Sequence, residues 1–287
     1  MSETGKIVLK AVDTKKFSSL LKRTGSIDRL VFLNITGAHL DSIAYNQNKS
    51  VVKRVESDLN FYCQEYTNKN ENQVKFLFTN VNKFLSALSL VGTDDVNIVL
   101  SYEDGFGKKA TISNKTISMN IVCGESALAP IEMPAKAKES VFNDYSKLVY
   151  GFGIDSKEFK YINSLFDINK DGTKVFFSKY GNVVHVSEIE AKSDAELDKV
   201  NSIVANDDYD GFRTWEKLYD KIVETDNVKI ANDNENHISA YAKAFFTWVD
   251  SDNDFTFEIH ENKLKIISTE DETSTKSTVV IMPIQFN

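Results

Sequence analysis

One pattern occurs twice along this chain, and that repetition constrains the fold more than any single motif. Each half runs through an amphipathic helix, a series of alternating strands, a second amphipathic helix and further strands. Helical spacing is predicted over Asp13–Thr24 and Asn80–Val91 in the first half. In the second half it is predicted over Asp155–Phe166 and Glu235–Val249. Each helix has one apolar stripe, which is stable only against another layer. The fold class expected is therefore α+β: two tandem domains, each with two amphipathic helices packed on antiparallel sheets.

At 100° per residue, Phe17, Leu20 and Leu21 share one face of the first helix. Lys15, Ser19 and Lys22 lie opposite, with Lys16 and Arg23 on a flank. The second helix turns Phe84, Ala87, Leu88 and Val91 inward and Asn82, Lys83, Ser86 and Ser89 outward. The third turns Phe159, Ile162 and Phe166 inward, with Lys157, Lys160 and Ser164 outward. The fourth puts Ile238, Tyr241, Ala242, Phe245 and Val249 inside and Lys243 outside. Asp13 or Thr14 can cap the first helix through a side-chain oxygen, and Gly25 and Gly92 can end the first two.

Strands are expected at Lys6–Val12, Leu30–Ile35, His39–Tyr45, Val51–Glu56, Leu59–Tyr66 and Val74–Phe78. Val96–Tyr102, Lys109–Ser113 and Ile117–Cys123 complete the first half. Gly124–Lys138, with Pro130 and Pro134 and no periodicity, reads as a connector. Domains are thus expected at 1–123 and 139–287, with 124–138 between them. In the second half strands are expected at Ser140–Val149, Lys174–Ser178, Asn182–Glu188, Phe255–His260, Lys263–Ser268 and Ser277–Pro283. A helix is expected around Trp215–Val223 in the irregular stretch between.

The outward cations matter because the chain as a whole is acidic, with a formal charge of −8. That balance argues against coating nucleic acid with the entire surface. It permits a basic face, because local field governs the approach to phosphate. Any single Lys-bearing helix is also what an ordinary solvated face looks like. The distribution is less ordinary, since Glu158 is the only acid in the central turns of the first three helices.

Other chemistry finds little support. Cys63 and Cys123 are the only cysteines, so a disulfide framework is not expected and a reducing, cytoplasmic setting is. No stretch approaches the roughly 18 apolar residues of a membrane span, and Met1–Ala11 lacks a signal-peptide core. His39, His185, His237 and His260 show no zinc-ligand spacing. Asp167–Gly172 opens like a calcium loop, but the twelfth position is Ser178. Asp250–Asp254 has Glu261 at the twelfth position, yet Phe255 replaces the glycine of the bend. No phosphate-binding loop, nucleophile elbow or dinucleotide fingerprint occurs. No cofactor, metal or catalytic residue is expected, and the chain is not read as an enzyme. Two segments, Ala127–Ile131 and Val279–Ile284, are more apolar than a loop and a tail require. They either pack onto strands or form a pocket for short hydrophobic peptides.

Several stretches together resemble DNA polymerase sliding clamps, in particular the T-even bacteriophage type, related in fold to the proliferating cell nuclear antigen family. They are Lys83–Val91 with Asp94, Asp95 and Glu103-Asp104-Gly105; Ala127–Pro134; Asp207–Gly211; and the apolar C-terminal strand before Met282-Pro283. Arg213–Asn236 is longer than that family needs and reads as an insertion.

The resemblance implies a ring around double-stranded DNA, with helices lining the hole. Two domains per chain then imply a homotrimer closed head to tail through edge strands. Lys15, Lys16, Lys22, Arg23, Lys83, Lys157, Lys160 and Lys243 would face phosphates without reading sequence. Ile43, Leu128, Ile131, Met282 and Pro283 would form the pocket for partner peptides. The partners implied are a replicative DNA polymerase and a clamp loader ATPase, in a bacterial host cytoplasm if the chain is phage-encoded. Two alternatives remain open: a monomeric processivity factor of the same fold, and a β-rich structural or adaptor protein without a DNA role.

Overall fold

The computed structural model describes residues 4–24, 31–46, 50–125, 133–144, 148–160, 162, 174–180, 183–187, 214–218, 237–249 and 254–284. The chain divides into two compact units. One is Met1–Pro134 with Thr269–Thr278, the other Ala135–Ser268 with Val279–Asn287.

In the first unit the strands are β1 (Thr4–Val12), β2 (Val31–Thr36), β3 (His39–Tyr45), β4 (Val51–Asp58), β5 (Cys63–Asn68), β6 (Val74–Phe78), β7 (Asn97–Glu103), β8 (Phe106–Ser113) and β9 (Ser118–Val122). Helix α1 spans Thr14–Thr24 and α2 spans Val81–Val91. The strand order is β4-β3-β2-β6-β8-β7-β1-β5, with β9 beside β8. The β6–β8 contact is one parallel pair, Lys75 with Phe106, while the neighbours on either side run antiparallel. β1 alternates Ile7 and Leu9 inward with Lys6 and Lys10 outward, the period-2 signature of a strand with one buried face. The core joins these residues to Phe17, Leu20 and Leu21 of α1 and Phe84, Leu88 and Val91 of α2. Phe84 is the hub. Its ring lies 5.0 Å edge-on to Phe78 and 6.0 Å from Phe17, and Phe17 lies 6.0 Å from Tyr62. Burying rings of this size stabilises by about 1.5–3 kcal/mol each.

The second unit holds β10 (Leu148–Ile154), β11 (Lys174–Tyr180), β12 (Val183–Ser187), β13 (Thr214–Leu218), β14 (His237–Ala242), β15 (Phe255–His260), β16 (Lys263–Glu270) and β17 (Thr275–Ile281). The tip of the β16–β17 hairpin, Thr269–Thr278, belongs to the first unit. One sheet runs β10-β15-β16-β17 and the other β13-β12-β11-β14. Between β10 and β14 the core is aromatic, with Phe152 stacked 5.1 Å from Phe257 and Phe159 4.6 Å from Phe255.

Four expectations are corrected here. Leu59–Tyr66 is not one strand: Leu59–Tyr62 is a 3₁₀ turn whose Asn60 N–H donates to Asp58 Oδ1 at 2.8 Å, and β5 begins at Cys63. Ser140–Val149 is not a strand. Ala135–Lys138 is helical, Glu139–Asn143 continues as a π turn, and the strand begins at Leu148. Ala and Lys are strong helix formers. Lys263 Nζ satisfies the trailing carbonyls, donating to Ser140 O at 2.7 Å and Val141 O at 3.0 Å.

Glu235–Val249 is not one helix. His237–Ala242 is β14, paired with β11 over six positions, and only Lys243–Trp248 is helical, as a 3₁₀ segment. Ser239, Ala240 and Tyr241 are all buried, so both faces of β14 are covered and the strand shows no alternation. Trp215–Leu218 lies in β13, paired with β12 over five positions, so the helix expected there is also absent up to Leu218. Residues 219–236, most of the expected insertion, lie outside the described residues.

Candidate nucleic-acid interface

The candidate interface is built on α1. Asp13 Oδ1 accepts from the N–H groups of Lys15 at 3.1 Å and Lys16 at 3.0 Å, capping the first turn. The helix, TKKFSSLLKRT, contains no acid and ends in Lys22 and Arg23. With Phe17, Leu20 and Leu21 fixed in the core, Lys15, Ser18 and Lys22 point away from it. They line a groove of about 450 Å³ whose other wall is Leu85, Leu88 and Ser89 of α2. Gly92 and Thr93 also line it.

Helix α2 is positioned as firmly. Asn80 Oδ1 accepts from the Asn82 N–H at 3.0 Å. At the other end the Gly92 N–H reaches Leu88 O at 3.1 Å. Gly92 has φ 89° and ψ −150°, a region nearly restricted to glycine. Asn114 Nδ2 donates to Val91 O at 2.7 Å, satisfying a terminal carbonyl. Lys83 is exposed and lines a second groove of about 730 Å³ between α2 and β9, with Leu90, Met119 and Val122.

Two of the four α1 cations are engaged elsewhere. The expectation that Arg23 points outward is corrected: it is 7% exposed and bonded to Glu270 at 3.1 Å. Lys16 is partly exposed and pairs with Glu272 at 3.2 Å. Arg23 lies about 80° around the helix from Lys15, at the edge of the apolar stripe, where the β16–β17 hairpin tip receives it. Among the described residues no carboxylate pairs with Lys15 or Lys22.

In the second unit, residues 156–160 are helical. The Glu158 N–H donates to Asp155 Oδ1 at 2.7 Å, and the Asp155 N–H to Glu158 Oε2 at 3.0 Å. This reciprocal capping box explains the single acid on that helix, and it was legible as Asp-x-x-Glu. Lys157 and Lys160 are exposed. Lys243 opens the 3₁₀ segment rather than occupying a helix face, and its side chain lies outside the described residues.

Of the peptide-pocket residues, Ile43 on β3 is buried, in the first unit. Met282 and Pro283 follow β17 in the second unit and are partly exposed. There the tail is anchored by the Ile284 N–H, which donates to Ala240 O at 2.8 Å. Leu128 and Ile131 lie outside the described residues, as does Asp207–Gly211. The Asp250–Glu261 segment runs into β15, which pairs with both β10 and β16. Among the described residues no cluster of three metal-ligating side chains occurs, and no helix is long and apolar enough to cross a membrane.

No protein-family model matches the sequence, and no curated protein sequence matches it significantly. Solved structures do match. PCNA from A. fulgidus, bound to the C-terminal region of FEN-1, superposes with a TM-score of 0.67 at 10% identity, over 98% of this chain and 99% of that one. PCNA from Entamoeba histolytica gives 0.65 at 10% identity, over 97% and 99%. The PCNA2–PCNA3 complex from Sulfolobus tokodaii gives 0.61 at 14%, over 96% and 98%. Across nearly its whole length this chain has the fold of the PCNA-type sliding clamps.

Proposed function

We propose that the chain is a sliding clamp that encircles duplex DNA and tethers a DNA polymerase, without catalysis of its own. The observation that carries this reading is the clamp fold itself, joined to an α1 helix with no acid and with Lys15 and Lys22 facing out of the core. Contacts of this kind act on phosphate through counterion release and carry no sequence information, which sliding requires. Tethering then works by effective concentration, since a polymerase that lets go is recaptured before it diffuses away.

A closed homotrimer is the assembly this reading favours. Within the first unit, Thr275 of β17 lies against β4, its Oγ1 2.9 Å from Ser57 Oγ. Among the described strands, β4 and β13 are third after the first helix of each half, and β9 and β17 third after the second. Among the described residues β9 pairs with β8 on one side, and β13 with β12 on one side. Beside β9, Leu90 is 64% and Val122 75% exposed. Joining β9 of one protomer to β13 of the next would repeat the β17–β4 arrangement, remove both edges and cover the apolar pair.

The remaining assignments follow from the same reading. Lys83, Lys157, Lys160 and Lys243 would add phosphate contacts. Ile43, Leu128, Ile131, Met282 and Pro283 would receive tails of the polymerase and of an ATP-driven loader. A phage replication role in a host cytoplasm is the setting the resemblance implies. The test is Lys15→Glu/Lys22→Glu/Lys157→Glu. It should abolish clamp-dependent synthesis while light scattering still gives about three times the 32.4 kDa chain. Unimpaired synthesis by that variant overturns the DNA-facing assignment, and a wild-type protein that stays monomeric at high concentration overturns the ring.

A further inference from the structure

The tip of the β16–β17 hairpin carries three acids in a row, Glu270-Asp271-Glu272, in a chain segment that packs on the first unit. The tip is fixed rather than loose. Glu270 Oε2 accepts from Thr273 Oγ1, and Thr273 Oγ1 lies 2.6 Å from Thr275 Oγ1. Thr275 in turn bonds the Tyr62 hydroxyl and, at 2.9 Å, Ser57 Oγ. Thr273, Thr275, Ser57 and Tyr62 are all buried, so this is a satisfied polar network that sets the position of the hairpin against α1. From that anchored base Glu270 reaches Arg23 and Glu272 reaches Lys16. The two pairs differ in kind. Arg23–Glu270 is largely buried and structural. Lys16–Glu272 is open to solvent, with side chains 36% and 77% exposed.

We propose that Glu272 sets the strength of the clamp's grip on DNA, by occupying Lys16 on the flank of the phosphate-facing helix. The proposal rests on the DNA-facing reading of α1. Helix α1 has four cations, and the hairpin withdraws two of them, leaving Lys15 and Lys22 for phosphate. Each phosphate neutralised adds about 0.9 to the slope of log affinity against log salt. A grip of two lysines per α1 is weaker and less salt-sensitive than one of four, and a weak grip lets a ring slide. Lys16 is near enough to the outward face to join Lys15 once its carboxylate is gone, whereas Arg23 is held below the surface and is not.

The experiment is binding of a fluorescein-labelled linear 30-base-pair duplex, followed by anisotropy between 25 and 150 mM NaCl. Glu272→Gln should bind more tightly at low salt and steepen the slope by about 0.9 for each protomer engaged. Lys16→Gln alone should leave the slope at its wild-type value. Glu272→Gln/Lys16→Gln should return to that value, while Lys22→Gln should flatten it. The pair is exposed, so Glu272→Gln should melt with the wild type. An unchanged slope for Glu272→Gln beside a flattened one for Lys22→Gln overturns the role of Glu272 alone. Unchanged slopes for both Lys15→Gln and Lys22→Gln overturn the DNA-facing reading, and this proposal with it.

Discussion

The second helical place is built differently in the two halves. In the first unit, β6 leads through a capping Asn80 into the eleven residues of α2, closed by Gly92. In the second unit, β14 leads through Ala242, which makes no side-chain cap, into six residues of 3₁₀ helix ending at Val249. The order strand–helix–three strands is the same, and the helix is not. A long α-helix needs its terminal N–H and C=O groups satisfied, and α2 has Asn80, Gly92 and Asn114 for that. Lys243–Trp248, with the sequence KAFFTW, is rich in aromatic residues that favour helix weakly. Phe246 is buried against Phe177, with ring centroids 6.0 Å apart. The second half therefore keeps a helical segment in this place with six residues instead of eleven. Burial of one aromatic ring holds the segment where capping cannot.

The cores differ in the same direction. Rings are joined to many aliphatic side chains around Phe84 in the first unit, and stacked on one another around Phe257 in the second. The largest effects should come from removing these two hubs. Phe257→Ala and Phe84→Ala should each cost about 3–5 kcal/mol. The chain's two tryptophans, Trp215 and Trp248, both lie in the second unit, so their fluorescence reports that unit alone. Phe257→Ala should lower the urea midpoint seen by tryptophan fluorescence. Phe84→Ala should lower the midpoint seen by far-ultraviolet circular dichroism and leave the tryptophan signal in place. Equal shifts of the tryptophan midpoint in both variants would mean that the units unfold as one, and the comparison would fail.

Much of this was legible in the sequence where one face of an element is buried and the other wet. β7 lies within a residue of the expected Val96–Tyr102 and alternates buried with half-buried positions along its length, and α1 and α2 follow their apolar stripes to within a residue or two. Legibility failed where both faces are covered. The spacing of Ile238, Tyr241 and Ala242 is helical, but a strand buried on both sides has no period to show. It failed again where a partner is distant. Arg23 looks like a solvated flank residue until Glu270, 247 positions later, is brought beside it. The geometry of the candidate site was therefore half legible: the outward placement of Lys15 and Lys22 from periodicity alone, the pairing of Lys16 and Arg23 only from tertiary structure.

Intermediate effects should separate the two helical places. Gly92→Ala forces a side chain into φ 89°, and no atom within 4 Å of its Cβ adds a clash, so the cost is backbone strain of about 1–3 kcal/mol. Asn80→Ala strands the Asn82 N–H and should cost about 1 kcal/mol. Ala242 and Val249, which flank the 3₁₀ segment, have φ −69° and −87° and no side-chain cap to lose. Ala242→Ser should therefore change stability less than either α2 variant, read from denaturant midpoints at constant slope. A loss at Ala242 as large as at Asn80 would show that the 3₁₀ segment depends on its end as α2 does.

The smallest effect should be acid sensitivity peculiar to the second unit. Glu258 on β15 is buried, and burial alone pushes its carboxyl up. The His260 imidazole and the Lys265 ammonium beside it outweigh that and hold it below its ordinary value of 4.5. Lys265 Nζ lies 2.8 Å from the carboxylate and His260 Nε2 3.7 Å. Because the folded carboxyl is more acidic than the unfolded one, the unfolded chain binds more protons as pH falls through 4.5. The contribution of Glu258 is thus present above about pH 4.5 and lost progressively below it. His237 on β14 acts one window higher. Burial holds its imidazole below 6.5, so the unfolded chain takes up a proton that the folded chain refuses, and stability declines as pH drops through 6.5. The tryptophan midpoint should fall between pH 7 and 5 and fall further below 4.5. His237→Gln should remove the upper step and leave the lower one. Among the described residues of the first unit the carboxyl held below its ordinary value is Asp95, bonded to Lys115 in an exposed pair that screening weakens, so that unit's midpoint should hold across the upper window. Matching declines in both units between pH 7 and 5 would remove His237 as the cause and leave the units alike in their response to acid.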